Sequence, residues 1–455
     1  MHTDIKHRYS ISARRMSRSI IRELLKLANK PGIISFAGGL PSPHTFPSEE
    51  LKEICTRVFE DEPQVTLQYS ATEGLSSLRD LLVDFVGRYG LAINREELIV
   101  TTASQQSLDL VGKIFIDRGD LVVVEQPSYL GAVSAFKSYG VRFLPIEMDG
   151  EGIRTGTLHA RLRDLKKEAG SGIEYYQNMP KFIYTIPDFQ NPSGITMSLQ
   201  RREELLNIAD EFDLVIVEDV AYKWLRYSGE DLPLIGALEV RRRAASGAGG
   251  AEASVGAGRA KISSGEGDAG GVPAADPIPP TRRVINLFTF SKILSPGFRL
   301  GWICADAGVI DKLVQAKQAT DLCTSALTQR IAAEFLDRGL LEVRIRANVE
   351  LYRDKLQCML AALEEFMPRM QGLSWVVPEG GMFLWITLPE GMDADEMFKD
   401  AIERNVAYVV GSAFHPAGGG HNTMRLNFSY SSDKEIREGI RRLAGLVRSR
   451  RRGAA

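Results

Sequence analysis

Between residues 98 and 305 the chain alternates short apolar runs with longer stretches of helical period. The runs fall at 98–101, 121–124, 141–145, 182–185, 214–217, 284–290 and 301–305. Helical stretches begin near Ser104 and Tyr129 and cover 198–212. Continuous apolar runs separated by helices predict a mostly parallel, seven-stranded sheet covered on both faces, an α/β fold. Ligands of such sheets bind beyond the carboxyl ends of the strands. The polar residues that follow each run are therefore the candidates for chemistry.

Outside this block the pattern changes. Helical spacing marks 19–29, 48–60 and 76–88 on the N-terminal side. After residue 310, long helices are expected over 309–339 and 341–367. A strand over 382–388, a helix over 393–404, an alternating strand over 423–429 and a closing helix over 433–449 follow. This reads as a smaller α+β domain. The expected division is an N-terminal arm, 1–60, contributing to the small domain, a large domain, 61–308, and the small domain proper, 309–455. One stretch breaks the globular grammar: of the 28 residues from 244 to 271, 21 are Ala, Gly or Ser. Such a composition cannot bury enough apolar surface to offset the entropy of ordering. With its flanks, 241–282, it is expected to be a flexible insertion in the large domain.

Composition narrows the function classes. With 56 basic against 58 acidic residues the net charge is −2, which gives no field for gripping nucleic acid or anionic lipid. No run approaches the roughly 20 apolar residues of a membrane span. The four cysteines form no Cys-x-x-Cys pair, and the six histidines no His-Glu-x-x-His, so no metal site is expected. Sparse, unclustered cysteines suit a reducing compartment, the cytoplasm.

Several strand ends carry reactive or binding groups. Lys292 follows the sixth run, flanked by Thr289 and Ser291, with Arg299 seven residues on. A lysine amine there can form a Schiff base with a carbonyl cofactor, while hydroxyls and a guanidinium hold a phosphate. Asp219 lies just past the fifth run. A carboxylate there is costly unless it meets a cation, such as a protonated pyridine nitrogen. Tyr222 is near enough in sequence to reach the same ring. Asn191 sits in the turn Gln190-Asn191-Pro192-Ser193-Gly194, and its amide can donate to the ring's phenolic oxygen. Ser104 and Gln105 open a helix, where free N–H groups favour phosphate. Tyr129 stands at the mouth of the next strand and can stack on a flat ring. Arg425 alternates with Met424 and Leu426, so its guanidinium faces away from their apolar side and can bind a carboxylate. Each residue also has an ordinary reading, as a surface lysine, a helix cap or a turn. Jointly they describe one ligand with a ring, a phosphate and a carbonyl, and one substrate with a carboxylate.

With those residues in hand, the sequence resembles the fold-type I pyridoxal 5′-phosphate enzymes. More narrowly, it is similar to the class I aminotransferases of the 2-aminoadipate and kynurenine group. The matching motifs run from Ile-Arg-Glu-Leu-Leu-Lys (21–26), Phe-Ala-Gly-Gly-Leu-Pro (36–41) and Leu-Gln-Tyr-Ser (67–70) through Gln-Asn-Pro-Ser-Gly (190–194) and Glu-Asp-Val-Ala-Tyr (218–222). Ser-Lys-Ile-Leu-Ser-Pro-Gly-Phe-Arg (291–299), Gly-Gly-Met-Phe-Leu-Trp (380–385) and Met-Arg-Leu-Asn-Phe-Ser (424–429) complete the set. The resemblance implies that Lys292 carries the cofactor and shuttles a proton, and that Asp219 pairs with the pyridinium. It implies that Asn191 and Tyr222 contact the phenolic oxygen, that Tyr129 stacks on the ring, and that Ser104, Gln105, Thr289, Ser291 and Arg299 hold the phosphate. Tyr69 is expected to reach the phosphate of a neighbouring subunit, which implies a homodimer with shared sites. Arg425 would take the α-carboxylate, with Asn191 beside it, and Gly39 would line the substrate pocket. Arg22 is expected to meet a distal carboxylate of the substrate.

The implied reaction is a ping-pong transfer of the amino group of an L-amino acid (2-aminoadipate, aromatic or branched-chain) to 2-oxoglutarate. A β-lyase or decarboxylase of the same fold is the alternative. A transcription regulator with a sensor domain of this kind would need a winged helix ahead of the first matched helix, and only about 18 residues precede it. A nicotinamide-dependent dehydrogenase would need a Gly-x-Gly-x-x-Gly after the first strand, which is missing.

Overall fold

The protein's structure, a computed structural model, describes residues 5–16, 32–245 and 282–453. The helix expected over 19–29, the motif 21–26 with Arg22, and residues 246–281 of the insertion lie outside the described residues.

A two-residue strand, β1 (Ile34–Ser35), precedes the large sheet. That sheet comprises β2 (Leu98–Thr101), β3 (Leu121–Gln126), β4 (Arg142–Asp149), β5 (Gly152–Ile153), β6 (Phe182–Thr185), β7 (Val215–Val220), β8 (Val284–Thr289) and β9 (Gly301–Cys304), in spatial order β2-β9-β8-β7-β6-β3-β4-β5. β4, β3, β6, β7 and β8 run parallel, and β9 lies antiparallel to both β8 and β2. The sheet therefore has eight strands where the apolar runs predict seven. The addition is β5, which folds back on the end of β4 through Gly152 in the left-handed region, φ 105°. Two residues are too short to leave a periodic signal.

The parallel strands are buried on both faces, as their uninterrupted apolar runs require. On β6, Phe182 and Tyr184 pack with Leu110, Val111 and Phe136 on one side. Ile183 packs with Val123, Leu158, Leu205 and Ile216 on the other. A third cluster joins the helices Ser48–Asp61, Ser76–Gly87 and Ala326–Asp337 around Trp302 and Phe288 of the sheet's far end.

The C-terminal layer holds an antiparallel sheet of β10 (Ser374–Trp375), β11 (Phe383–Thr387), β13 (Val409–Val410) and β14 (Thr423–Asn427), in the order β10-β11-β14-β13. β1 pairs in parallel with β12 (Val406–Ala407), which carries residues 34–37 into this layer. The expected helix over 309–339 is two helices, Ala307–Gln318 and Ala326–Asp337. Leu322 adopts a left-handed conformation, φ 66°, between them, and Ser325 caps the second by accepting from the Thr328 N–H. The break lets Lys317, Asp321 and Thr324 turn back toward β2. Its polar run Thr320-Asp321 and Thr324-Ser325 is a loop signal that the flanking helical period overrides.

Candidate active site

The carboxyl ends of the parallel strands open on a cavity of about 330 Å³. Ser104 and Gln105 reach it from the first turn of the helix after β2, Tyr129 from beyond β3, Asn191 from beyond β6, Asp219 from β7 and Tyr222 from just past it, Thr289 from the end of β8 and Ser291 and Lys292 from just past it. Arg299 joins them because β9 is antiparallel, so its leading end meets the same edge. Gly39 and Arg425 close the cavity from the C-terminal layer, with Phe383 beside them. The structure thus brings together every residue singled out in the sequence except Tyr69 and Arg22. Tyr69 is 77% exposed and does not line the cavity of its own chain. Arg22 lies outside the described residues.

Local packing explains the placement. The helix Ala103–Phe115 starts with Ala103 in the left-handed region, φ 64°. A Cβ at Gly301 would lie 3.2 Å from the Ala103 backbone and 2.6 Å from the Phe288 carbonyl, so only glycine lets this helix start abut the sheet edge. The Gln106 amide oxygen accepts from the Thr102 N–H at 2.7 Å and from Lys317 Nζ at 3.0 Å. Asp321 in turn holds Gln106 and Lys317. The loop 187–194 is pinned at both ends. Arg202, fully buried, pairs with Asp188 at 3.0 Å and donates to the carbonyls of Pro187, Met197 and Pro233. Burial alone would raise the Asp188 pKa, but Arg202, Lys223 and Arg226 outweigh it and hold the carboxyl below its usual range. Glu125 takes the Gln190 amide at 3.1 Å, and Gln190 accepts from Ser193.

Asn191 is thereby held between two partners. Its amide donates to the Tyr222 hydroxyl at 3.2 Å, and its oxygen accepts from Arg425 Nη1 at 2.8 Å. Arg425 also donates to the Ala37 carbonyl at 3.0 Å, and its guanidinium lies 4.1 Å from the Phe383 ring centroid. Burial lowers its pKa to about 10, so it stays cationic at neutral pH. Lys292 Nζ donates to the Gly39 carbonyl at 2.8 Å. Burial, with Arg425 and Arg299 nearby, lowers its pKa to about 8. Asp219 is pushed up to about 6 by burial, against the Tyr184 hydroxyl that donates to its Oδ2 at 2.8 Å. Oδ1 of Asp219 is buried and has no partner.

These residues fit pyridoxal 5′-phosphate. The orphaned Asp219 Oδ1 and the raised proton affinity of its carboxyl mark a place prepared for a cation, as a protonated ring nitrogen is. Lys292 offers an amine of lowered pKa. The start of a 13-residue helix, three hydroxyls (Ser104, Thr289, Ser291) and Arg299 line the same cavity and offer the donors a phosphate needs. Phe383, Ala103, Ile186, Ala221 and Pro296 also line the cavity and were not singled out in the sequence. Phe383 belongs to the motif 380–385, whose apolar run reads simply as a buried strand.

Away from the cavity, Asp393, Asp395 and His421 are spaced as metal ligands could be. Asp393 instead caps the helix Ala394–Glu403, and His421 pairs with Asp395 at 3.1 Å.

The family model for aminotransferase class I and II matches residues 40–443. The chain is 42% identical over 446 residues to the aromatic-amino-acid aminotransferase 1 of Thermococcus litoralis, covering 98% of this chain and 95% of the relative. It is 40% identical over 431 residues to the 2-aminoadipate transaminase of Thermus thermophilus, covering 95% and 94%. Among solved structures, the α-aminoadipate aminotransferase of Thermus thermophilus, complexed with N-(5′-phosphopyridoxyl)-L-leucine, superposes with a TM-score of 0.81. It is 37% identical, with 98% and 99% of the two chains covered. The chain belongs to the class I and II aminotransferases and is a pyridoxal-phosphate-dependent transaminase.

Proposed function

We propose that this enzyme moves the amino group of 2-aminoadipate, an aromatic or a branched-chain L-amino acid to 2-oxoglutarate by a ping-pong mechanism. The observation that carries the reading is the meeting, in one cavity, of a half-buried amine, a buried carboxylate with an unmet oxygen and a buried guanidinium. The donors named on the similar chains are aromatic amino acids and 2-aminoadipate, which supports the donor class.

In this reading Arg425 binds the substrate's α-carboxylate. Its contacts to Asn191 and Ala37 fix the guanidinium before substrate arrives, which reduces the ordering cost of binding. Pyridoxal phosphate, when bound, supplies an electron sink for the bond broken at the α-carbon. Asp219 keeps a proton on its ring nitrogen, and Asn191 and Tyr222 hold its phenolic oxygen. Lys292 Nζ would hold the cofactor's carbonyl end and, as general base, would move the α-proton of the substrate. A pKa near 8 suits that role, because an appreciable fraction of the amine is neutral near neutral pH. Tyr129 covers the ring, and Ser104, Gln105, Thr289, Ser291 and Arg299 hold the phosphate.

The functional unit in this proposal is a homodimer in which Tyr69 serves the neighbouring cavity. Its exposure on its own chain supports that part. The division at 60/61 and 308/309 and a cytoplasmic location belong to the same proposal. Among the described residues no helix is long and apolar enough to cross a membrane, and the four cysteines are free. Arg22 is assigned to the distal carboxylate of dicarboxylic donors from the sequence alone. A donor panel with 2-oxoglutarate tests the reading. Glutamate formation from 2-aminoadipate and aromatic donors is expected, and Arg22→Ala should lower kcat/KM for 2-aminoadipate about tenfold more than for leucine. Release of pyruvate from cysteine conjugates with no 2-oxo acid consumed would instead identify a lyase.

A further inference from the structure

Tyr184 is a tyrosine in the middle of a strand whose every residue is buried, and nothing in the sequence marks it as functional. The register explains what it does. Tyr184 on β6 pairs with Val217 on β7, and Asp219 lies two residues further along β7. Side chains alternate along a strand, so Tyr184 and Asp219 share one face of the sheet, one step apart. Glu125, Thr185 and Glu218 sit on the other face. The Tyr184 hydroxyl donates to Asp219 Oδ2 at 2.8 Å, while Oδ1 has no partner. Tyr184 itself does not line the cavity, and Asp219 does.

We propose that Tyr184 is a positioning residue for the transamination: by occupying one oxygen of Asp219 it fixes the carboxylate and leaves the other oxygen as the acceptor for the cofactor's ring nitrogen. The inference rests on the assignment of this cavity to pyridoxal phosphate. Two physical effects follow. The carboxyl loses its freedom to turn, because one oxygen is tied to a ring wedged against Phe136, with centroids 5.7 Å apart and planes at 77°. The donated hydrogen bond also stabilises the charged form of a carboxyl that burial drives toward neutrality. A neutral Asp219 would keep its own proton and leave the ring nitrogen without one. The other titratable groups around the pair are Tyr129 and Tyr222, on the cavity wall, and Glu125, on the opposite face. None of the three is hydrogen-bonded to Asp219, so Tyr184 is the group that sets the balance.

The test uses Tyr184→Phe, which keeps the ring, and Phe136→Leu, which loosens the packing but keeps the hydroxyl. For each holoenzyme two quantities are read: the dissociation constant of pyridoxal phosphate, and the pH midpoint of the cofactor's visible absorption. A proton on the ring nitrogen disfavours a second proton elsewhere on the same conjugated group, so its loss moves the midpoint upward. Tyr184→Phe is expected to raise the midpoint by about half a unit or more and weaken cofactor binding about tenfold, the scale of one hydrogen bond to a charged group. Its kcat should fall while KM for the amino acid changes little, since Arg425 is untouched. Phe136→Leu should leave the midpoint where it is. An unmoved midpoint in Tyr184→Phe, or an equal shift in Phe136→Leu, overturns the proposal. A wild-type protein that takes up no pyridoxal phosphate would overturn the cofactor assignment instead.

Discussion

Asp219 shows how a single residue trades stability for chemistry. Without a cation its carboxyl is an acid whose folded pKa, about 6, lies above the ordinary value of 3.8. The folded state therefore holds its proton more tightly than the unfolded chain. The sign follows from linkage: below about pH 4 the group is neutral in both states and costs nothing. As pH rises through 6 the folded state loses stability from this group, approaching about 2–3 kcal/mol above pH 7. Asp219→Asn should accordingly make the apo-enzyme more heat-stable than wild type at pH 8, with the advantage gone near pH 4, and should weaken cofactor binding. Calorimetry of both apo-proteins across that range checks it, and an apo-variant less stable than wild type at pH 8 contradicts it. At this scale the sequence was highly legible for Lys292, Asp219, Asn191 and Arg425. Each is a polar group at, within or just beyond an apolar run, and though each alone reads as a surface lysine, a cap or a turn, together they describe one ligand. Tyr184 and Phe383 were illegible for the opposite reason, because a buried aromatic inside a strand needs no ligand to explain it.

At the scale of elements, the site depends on which strand ends meet. Parallel β3, β6, β7 and β8 deliver their trailing residues to one edge, which the run of apolar segments already implied. Arg299 needed more than that, because it precedes its strand and reaches the edge only through the antiparallel setting of β9. No residue pattern within 301–304 announces strand direction. Gly301 does carry a trace of it: the close approach of the Phe288 carbonyl and the Ala103 backbone leaves no room for a side chain. The break between Gln318 and Ala326 was missed because the apolar period continues on both sides, while the turn is set by tertiary partners. Thr324 Oγ1 donates toward the Val100 carbonyl at 3.4 Å, and Asp321 braces Gln106. The short strands β1 and β12 likewise owe their existence to a pairing partner distant in the chain.

At the scale of the whole molecule, the proposed homodimer makes Tyr69 a donor to its neighbour. If so, subunits carrying Lys292→Ala and subunits carrying Tyr69→Ala are each defective alone but complementary when mixed. Statistical exchange at equal amounts makes half the dimers mixed, each with one site free of both changes. Activity of about a quarter of wild type is then expected. If Tyr69 served its own cavity, no mixed site would be intact and no activity would return. The overall α/β order was readable because hydrophobic burial dictates it from one chain, whereas a surface that matters only between chains leaves no such signature.

The proposed chemistry depends on one bond-forming group, the amine of Lys292. Borohydride reduction of the protein after incubation with pyridoxal phosphate, followed by peptide mass mapping, tests it most directly. A single phosphopyridoxyl adduct on the peptide containing Lys292, absent in Lys292→Ala, is the expected result. An adduct at another lysine, or none in wild type, would contradict the account.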